Sequence, residues 1–519
     1  MNLLILHYHL RPGGIRRVIE LAVPHLLARL PIRKVILACG EAADQDWNRR
    51  FASNLAPVPV DFVVEPSFLY VSDQRRTIKA MVSRLRATLK RLFDAAADAP
   101  ALVWFHNPGV GRNLLLVRET LGACQRRGIP FLAHHHDWWF DNRWLRWREI
   151  QRCGFRSPSA VARVILSGAP GVRHITISRH DLALLRKHLP GRCAWLPNPA
   201  RVSRRPASEP STATRRWLKR CPGLPDAPLW VVPCRVLRRK NIAEALLITR
   251  WLRPEAHLMV TGGASSSDEV PYSRRLTETA RKHRWPLRLG LLETPEPDRP
   301  EVAEVLAASE VVLLTSIQEG FGLPFLEAAA TRRPLIARTI PNVAPDLEQF
   351  GFRFPLAYRE ILVDSRLFDE EAERQRQARL FNVWRNQMPR VCRVQSEPPI
   401  GLSHGGEPHA IPFSRLTLTA QLEVLRQPIE HSWSLCAPLN PFLARWRAKA
   451  ARAALPITRW PGHADRWLSG AAYASTFELI LALTRSPERS GDPVRAQQEF
   501  IRAKLKQDNL FPLLWDRLT

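Results

Sequence analysis

Apolar positions in this chain cluster into short runs separated by segments of helical spacing. Leu3–His9 is one such run, and Pro12–Gly14 follows it as a turn. Ile15–Arg29 then places Val18, Leu21, Ala22 and Leu26 on one face, and Pro24 is expected to kink or shorten that helix. Val35–Ala38, Val60–Val64, Leu102–His106, Phe131–His134 and His174–Ile177 read as further buried strands. Asp73–Ala97 reads as a long amphipathic helix, with Ile78, Met81, Val82, Leu85, Leu89, Leu92 and Phe93 on its apolar face. Strands written as apolar runs, alternating with helices, predict a parallel sheet covered on both faces.

The pattern restarts after the polar, Pro-rich stretch Pro197–Pro228. Leu229–Cys234, His257–Thr261, Leu287–Leu289, Val311–Thr315 and Leu335–Ala337 read as strands. Ile242–Trp251, Tyr272–His283, Pro300–Ala308 and Leu323–Thr331 read as the helices between them, and Asp369–Val391 as a polar helix. The chain therefore divides into an α/β domain over 1–197 and a second over 198–394. Residues 395–519 form a linker (Gln395–Pro412) and a mostly helical tail, with Ser414–Leu425, Ser475–Leu483 and Pro493–Lys506 as its helices. Ligands of open α/β sheets sit beyond the carboxyl ends of the strands, which points to a cleft between the two domains.

Composition narrows the class. With 519 residues, 45% hydrophobic and 24% charged, the chain is too long for one core and too apolar for disorder. The formal charge of +29 suggests nucleic acid, anionic lipid or an acidic substrate. Yet only ten of the 77 basic residues are Lys and 67 are Arg, spread along the whole chain, and this reads as a general Arg bias. There is no basic arm, zinc-finger spacing or RNP-type motif, so no specific nucleic acid is expected. The eight cysteines form no C-x-x-C pair and read as reduced thiols of a cytoplasmic protein. Met1–Leu10 lacks the marks of a signal peptide, and no apolar run approaches 18 residues. Arg75, Arg76, Lys79, Arg84, Arg86, Lys90 and Arg91 lie largely off the apolar face of Asp73–Ala97. They suit either solvent or peripheral contact with the anionic inner face of a membrane.

Four segments at strand mouths carry candidate chemistry. In Glu319–Glu327, Gly320 and Gly322 allow close backbone approach, and the helix opening at Leu323 favours a phosphate. Two carboxylates eight positions apart flank that turn and suit sugar hydroxyls. Arg235 and Lys240, with Arg238 and Arg239 as spares, suit a diphosphate leaving group. Gly13 and Gly14 form a weaker strand-loop-helix junction. In His134–Trp139, consecutive histidines on a strand point to alternate sides, so no metal site is expected there. A single histidine contacting substrate, or a structural one, fits better. Trp138, Trp139, Trp144 and Trp147 suit either sugar stacking or core packing with cation–π contacts to Arg143, Arg146 and Arg148.

Taken in order, these segments resemble the retaining glycosyltransferases of family 4. The resemblance covers Met1 to about Asn342. It implies a GT-B fold: two Rossmann-like domains facing across a cleft, an acceptor domain followed by a donor domain. It also implies sugar transfer from a nucleotide-diphosphate sugar with retained configuration and without a bound metal or other cofactor. By that resemblance Glu319 binds the donor sugar and Glu327 the ribose. Arg235 and Lys240 neutralise the diphosphate, His136 sits by the sugar, and Gly13, Gly14, Asp137, Gly320, Phe321, Gly322 and Leu323 line the substrate. The mechanism implied is front-face, with the leaving phosphate helping to deprotonate the acceptor. The family's usual Lys-Gly is Lys240-Asn241 here, and Ser414–Leu425 is the candidate for the helix that crosses back onto the first domain. The base, the sugar and the acceptor (glycan, lipid or small molecule) stay open. A non-catalytic nucleic-acid binder and a GT-B nucleotide-sugar epimerase are the alternatives.

Overall fold

The computed structural model describes residues 1–141, 144–200, 211–221, 227–264, 266–293, 296, 298–403, 410–484 and 490–515. Arg143 and parts of both Pro-rich stretches lie outside the described residues. The chain forms two units: Met1–Arg201, Gln387–Gln395 and His463–Lys504 make the first; Val202–Asn386, Ser396–Gly462 and Leu505–Thr519 make the second.

The first unit is built on seven strands: β1 (Asn2–Leu6), β2 (Lys34–Cys39), β3 (Val60–Val64), β4 (Ala101–His106), β5 (Phe131–His135), β6 (Val172–Thr176) and β7 (Cys193–Trp195). They lie in the order β3-β2-β1-β4-β5-β6-β7, and every pairing is parallel. All five residues of β1 are buried, as a strand covered on both faces requires. Leu3, Ile5, Leu102, Trp104 and Leu132 share one core with Ile19, Ala22, Val23 and Leu26 of the helix Gly14–Arg29. Tyr473, Ala474, Phe477 and Ile480 of the helix Gly470–Leu483 complete it.

The second unit repeats the design with β8 (Leu229–Val232), β9 (His257–Val260), β10 (Leu287–Arg288), β11 (Val311–Leu314), β12 (Leu335–Arg338) and β13 (Leu356–Tyr358). Their order is β10-β9-β8-β11-β12-β13, again parallel throughout. A two-stranded antiparallel ribbon, β14 (Leu362–Asp364) with β15 (Ala410–Pro412), stands beside it in the same unit. Trp230, Val232, Leu258, Val260, Val311 and Leu313 pack with the helix Ile242–Leu252 and with Leu418, Leu422 and Leu425 of Leu418–Arg426. In both sheets the order reverses between the first and fourth strands, β1/β4 and β8/β11, and ligands of such sheets bind at that point.

Several sequence expectations change. Pro24 does not shorten its helix, which runs from Gly14 to Arg29. Burial of Val18, Ile19, Ala22, Val23 and Leu26 outweighs the lost N–H bond. The helix expected over Asp73–Ala97 starts only at Ile78, where the Thr77 hydroxyl caps Ala80 N–H, and ends at Asp94. Arg76 and Arg84 lie near Glu65, Arg86 pairs with Glu119 and Lys90 with Asp94. Ser414–Leu425 does not cross back. Its helix lies in the core of the second unit, and the segments that join the first are Gln387–Gln395 and His463–Lys504. Among the described residues no helix is long and apolar enough to cross a membrane.

Candidate functional site

After β8 the chain makes a tight helical turn at Arg238–Lys240, then enters the helix at Ile242 through Asn241 in the left-handed region, φ 47°. Glycine and asparagine tolerate that conformation best, so Asn241 keeps the backbone that a Lys-Gly pair would give. The loop after β11 is clamped to this turn. Thr315 Oγ1 donates to the carbonyls of Lys240 (2.9 Å) and Asn241 (3.1 Å), and Ile317 N–H donates to Arg239 O at 2.8 Å.

That clamp delivers Glu319 to the cations. Lys240 Nζ donates to Glu319 Oε1, and Arg239 reaches Oε2 at 2.8 Å and Gln318 O at 3.0 Å. Asn342 Nδ2 holds the Glu319 carbonyl at 2.8 Å. Burial alone would raise the Glu319 carboxyl; the Lys240 ammonium and Arg239 guanidinium outweigh it and hold it down at about 2. Gly322, at φ 85°, turns the chain into the helix Leu323–Ala330, and a Cβ there would lie 2.7 Å from Val343 Cγ1. No side chain caps that helix start; Pro324 has no N–H and Phe325 N–H donates to Gly322 O at 2.9 Å, which leaves Leu323 N–H for an anion. Two cations, one carboxylate and an open helix N-terminus thus gather at the β8/β11 switch point.

The expected residues are not all in this cluster. Glu319 and Lys240 meet; Arg239, a spare in the sequence reading, is the guanidinium beside them. Arg238 is committed to Glu269 and the Asp268 carbonyl. Arg235 is exposed, with its stem over Gly262. Phe321 is buried, Gly320 and Leu323 are half-buried, and Glu327 is exposed on its helix.

In the first unit, imidazoles collect at the carboxyl ends of β1, β4 and β5. His106 pairs in register with His134, and His136 lies on the same side, two positions on. His106 Nδ1 is 3.1 Å from His136 Nε2, and His7 Nδ1 is 3.2 Å from His106 O. Burial pushes His106 and His134 well below the usual imidazole range and His136 down to about 4. Alternation sends His135 to the other side, where it meets His174 at 3.1 Å. Three histidines converge, against the expectation from one strand alone, because the neighbouring strand β4 supplies His106 beside His134. Ligand atoms of His106, His134 and His136 all lie within 4.8 Å of one another. Asn107, left-handed at φ 63°, fixes the next turn: its Oδ1 accepts from the N–H groups of His136 (3.3 Å) and Asp137 (2.9 Å), and its Nδ2 donates to Asp137 Oδ2. The only sequence sign of His106 and Asn107 is an Asn-Pro-Gly turn ending an apolar run.

Gly13 and Gly14 are exposed, and a Cβ would meet nothing closer than 3.8 Å at Gly13 and nothing within 4 Å at Gly14. The tryptophans are core, not a stacking platform. Trp138, Trp139, Trp144 and Trp147 are buried, Trp138 donates to Asp181 and Trp139 to Gln497, and Trp139 stacks on Trp147.

With this geometry in hand, residues 237–364 match the family model described as Glycosyl transferases group 1. The chain is 24% identical over 346 residues to mannosylglucosyl-3-phosphoglycerate synthase of Petrotoga mobilis, covering 65% of each protein. It thus spans about two thirds of that relative's length. Over 133 residues, 25% of this chain and 31% of the other, it is 35% identical to D-inositol 3-phosphate glycosyltransferase of Xylanimonas cellulosilytica. The HepE protein of Anabaena, solved with UDP and glucose, superposes with a TM-score of 0.51 at 12% identity, covering 93% of this chain and 99% of that one. The fold is therefore of the GT-B type, with two parallel-sheet α/β units and added C-terminal helices, and its second unit carries a group 1 glycosyltransferase domain.

Proposed function

We propose that this protein is a retaining glycosyltransferase of family 4 that takes a sugar from a nucleoside-diphosphate sugar. The observation that carries this reading is the trio Lys240, Arg239 and Glu319 beside the uncapped start of the helix Leu323–Ala330, inside the stretch that matches the group 1 glycosyltransferase model. Lys240 and Arg239 take up the negative charge that grows on the diphosphate as its bond to the sugar breaks, and the helix N-terminus adds to them. On this reading no metal ion is required for that charge. Glu319 keeps both cations in place and accepts from donor-sugar hydroxyls. Arg235 and Glu327 are the exposed candidates for the outer phosphate and the ribose. Gly13 and Gly14 leave room for the substrate, and His136 and Asp137 serve the sugar. The mannosylglucosyl-3-phosphoglycerate synthase likeness makes a sugar-phosphate or other small polar acceptor the first class to try.

The test has two parts. A donor that binds only the folded chain raises its melting temperature, so nucleoside diphosphates and their sugars are screened by thermal shift. The best donor is then used in transfer assays with Lys240→Ala and Glu319→Gln. Full transfer by both folded variants ends the reading; donor consumption without any acceptor turns it toward an epimerase.

A further inference from the structure

The histidines of the first unit pose a question that the charged trio does not: where their ring protons sit. A neutral imidazole carries one N–H, and burial keeps His106, His134 and His136 neutral near pH 7. Their tautomers, not their charges, then decide what they can do.

Trp104 fixes the first of them. An indole N–H can only donate, and that of Trp104 lies 3.2 Å from His134 Nδ1. His134 Nδ1 is therefore bare and its proton sits on Nε2. This Nε2 is buried without a partner, and so is Nε2 of His106; the two rings are 5.1 Å apart. Two buried N–H groups with no acceptor would each carry the cost of an unmade bond. The two nitrogens make no direct bond, but one N–H and one bare nitrogen complement each other across a single water. His106 thus keeps Nε2 bare and carries its proton on Nδ1, which faces His136 Nε2 at 3.1 Å. His136 accepts at Nε2 and holds its own proton on Nδ1. Among the described residues, Nδ1 of His136 has no protein partner.

We propose that Trp104, His134 and His106 form a one-way chain of N–H donors that holds His136 with Nδ1 protonated, as a hydrogen-bond donor to an oxygen of the sugar substrate. His106 is a positioning residue in this chain, which rests on the proposed function for its ligand but not for its proton order. Aligned donors polarise one another, so the terminal N–H is a stronger donor than that of an isolated imidazole. His136 does not act as a base, because its one bare nitrogen is taken. The neighbouring pair obeys the same rule. His174 Nε2 lies 3.0 Å from the Ser167 carbonyl, so its Nδ1 is bare and accepts from His135 Nε2, leaving His135 Nδ1 as the bare, unpartnered nitrogen. The three clustered imidazoles also have the look of a tri-histidine metal site. A metal ligand needs a lone pair, and Trp104 leaves His134 none: one nitrogen accepts from the indole and the other is protonated.

The test is the two-bond 1H–15N correlation spectrum of the full chain labelled with 15N-histidine, near pH 7, assigned with His106→Asn, His134→Gln and His136→Asn. The expected pattern is a proton on Nε2 of His134 and on Nδ1 of His106 and His136. Trp104→Phe should release this order and give His136 mixed tautomers. In transfer assays His106→Phe should lower kcat about tenfold with donor KM changed less than twofold. His106→Asn, whose amide takes the place of Nδ1–H, should recover most of that loss. A proton on Nε2 of His136 in the unaltered protein overturns the proposal, and so does a stoichiometric transition metal found by elemental analysis. Absence of transfer with every donor, alongside the expected spectrum, defeats the proposed function and leaves the proton order standing.

Discussion

The two switch points of this chain share a backbone plan and differ in their chemistry. Each sheet reverses its order beside its first strand, and each places an asparagine in the left-handed region nearby, Asn107 after β4 and Asn241 after β8. At β1/β4 the buried groups are imidazoles, and the charged neighbours acting on His106 and His134 are other imidazoles, so burial wins and they stay neutral. At β8/β11 burial also opposes ionisation of Glu319, yet Lys240 and Arg239 outweigh it. The same fold therefore offers neutral donors and acceptors in one unit and fixed charge in the other. The choice is made by which residues follow the strands, not by the strands.

The sharpest way to break this contrast is to remove the carboxylate. Glu319→Ala leaves Lys240 buried without its counter-charge and should cost about 3–5 kcal/mol in denaturant unfolding. Glu319→Gln, milder for the fold, should lower sugar transfer by about a hundredfold or more. His136→Asn, at the neutral site, should cost only about 1–2 kcal/mol. Equal losses at the two sites would erase the distinction.

Acid should separate the units next. His136 is held at about 4 and His7 at about 3, below the 6.5 of an unfolded histidine. The unfolded chain takes protons first, so their stabilisation is complete above pH 6.5 and is lost as pH falls toward those values. Each removes about 1.4 kcal/mol per pH unit within its window. The contribution of Glu319 is complete above 4.5 and fades only between 4.5 and about 2. Hydrogen exchange at pH 5.5 against pH 7 should show lost protection in β4 and β5 and retained protection in β8 and β11. Parallel loss in both sheets would contradict the difference in windows.

Two glycine substitutions refine it further. Gly322→Ala must hold φ 85° and push against Val343; about 1–2 kcal/mol of stability should go. Gly13→Ala meets open space in extended backbone, so its melting temperature should stay put while transfer falls if substrate approaches there. The smallest effect is expected from Asn241→Gly. It keeps the left-handed turn but loses the bonds to Glu244 and Gln421, for a change within about 1 kcal/mol.

Much of this was legible in the residues. Apolar runs such as Leu3–Leu6 and Val311–Leu314 announce buried parallel strands, because a strand covered on both faces has no polar side. Glu319 and Lys240 could be picked from their places after strands. Arg239 could not be preferred to Arg235, because which of four neighbouring cations meets Glu319 depends on the clamp made by Thr315 and Ile317. His106 escaped notice for a related reason. Its partners His134 and His136 lie about thirty residues away, and only strand pairing brings them together. The helix Gly470–Leu483 could be read as a helix, but nothing local tells which sheet it will cover.

Each unit is assembled from three separate stretches, so the polypeptide passes between the two five times. No single cut yields a complete half. A fragment ending near residue 201 lacks Tyr473 and Phe477 from its core, and one spanning 202–386 lacks Leu418, Leu422 and Trp446. Anyone exchanging halves between related chains to transplant specificity must move all three stretches together, or inherit exposed apolar surface where a borrowed helix should lie.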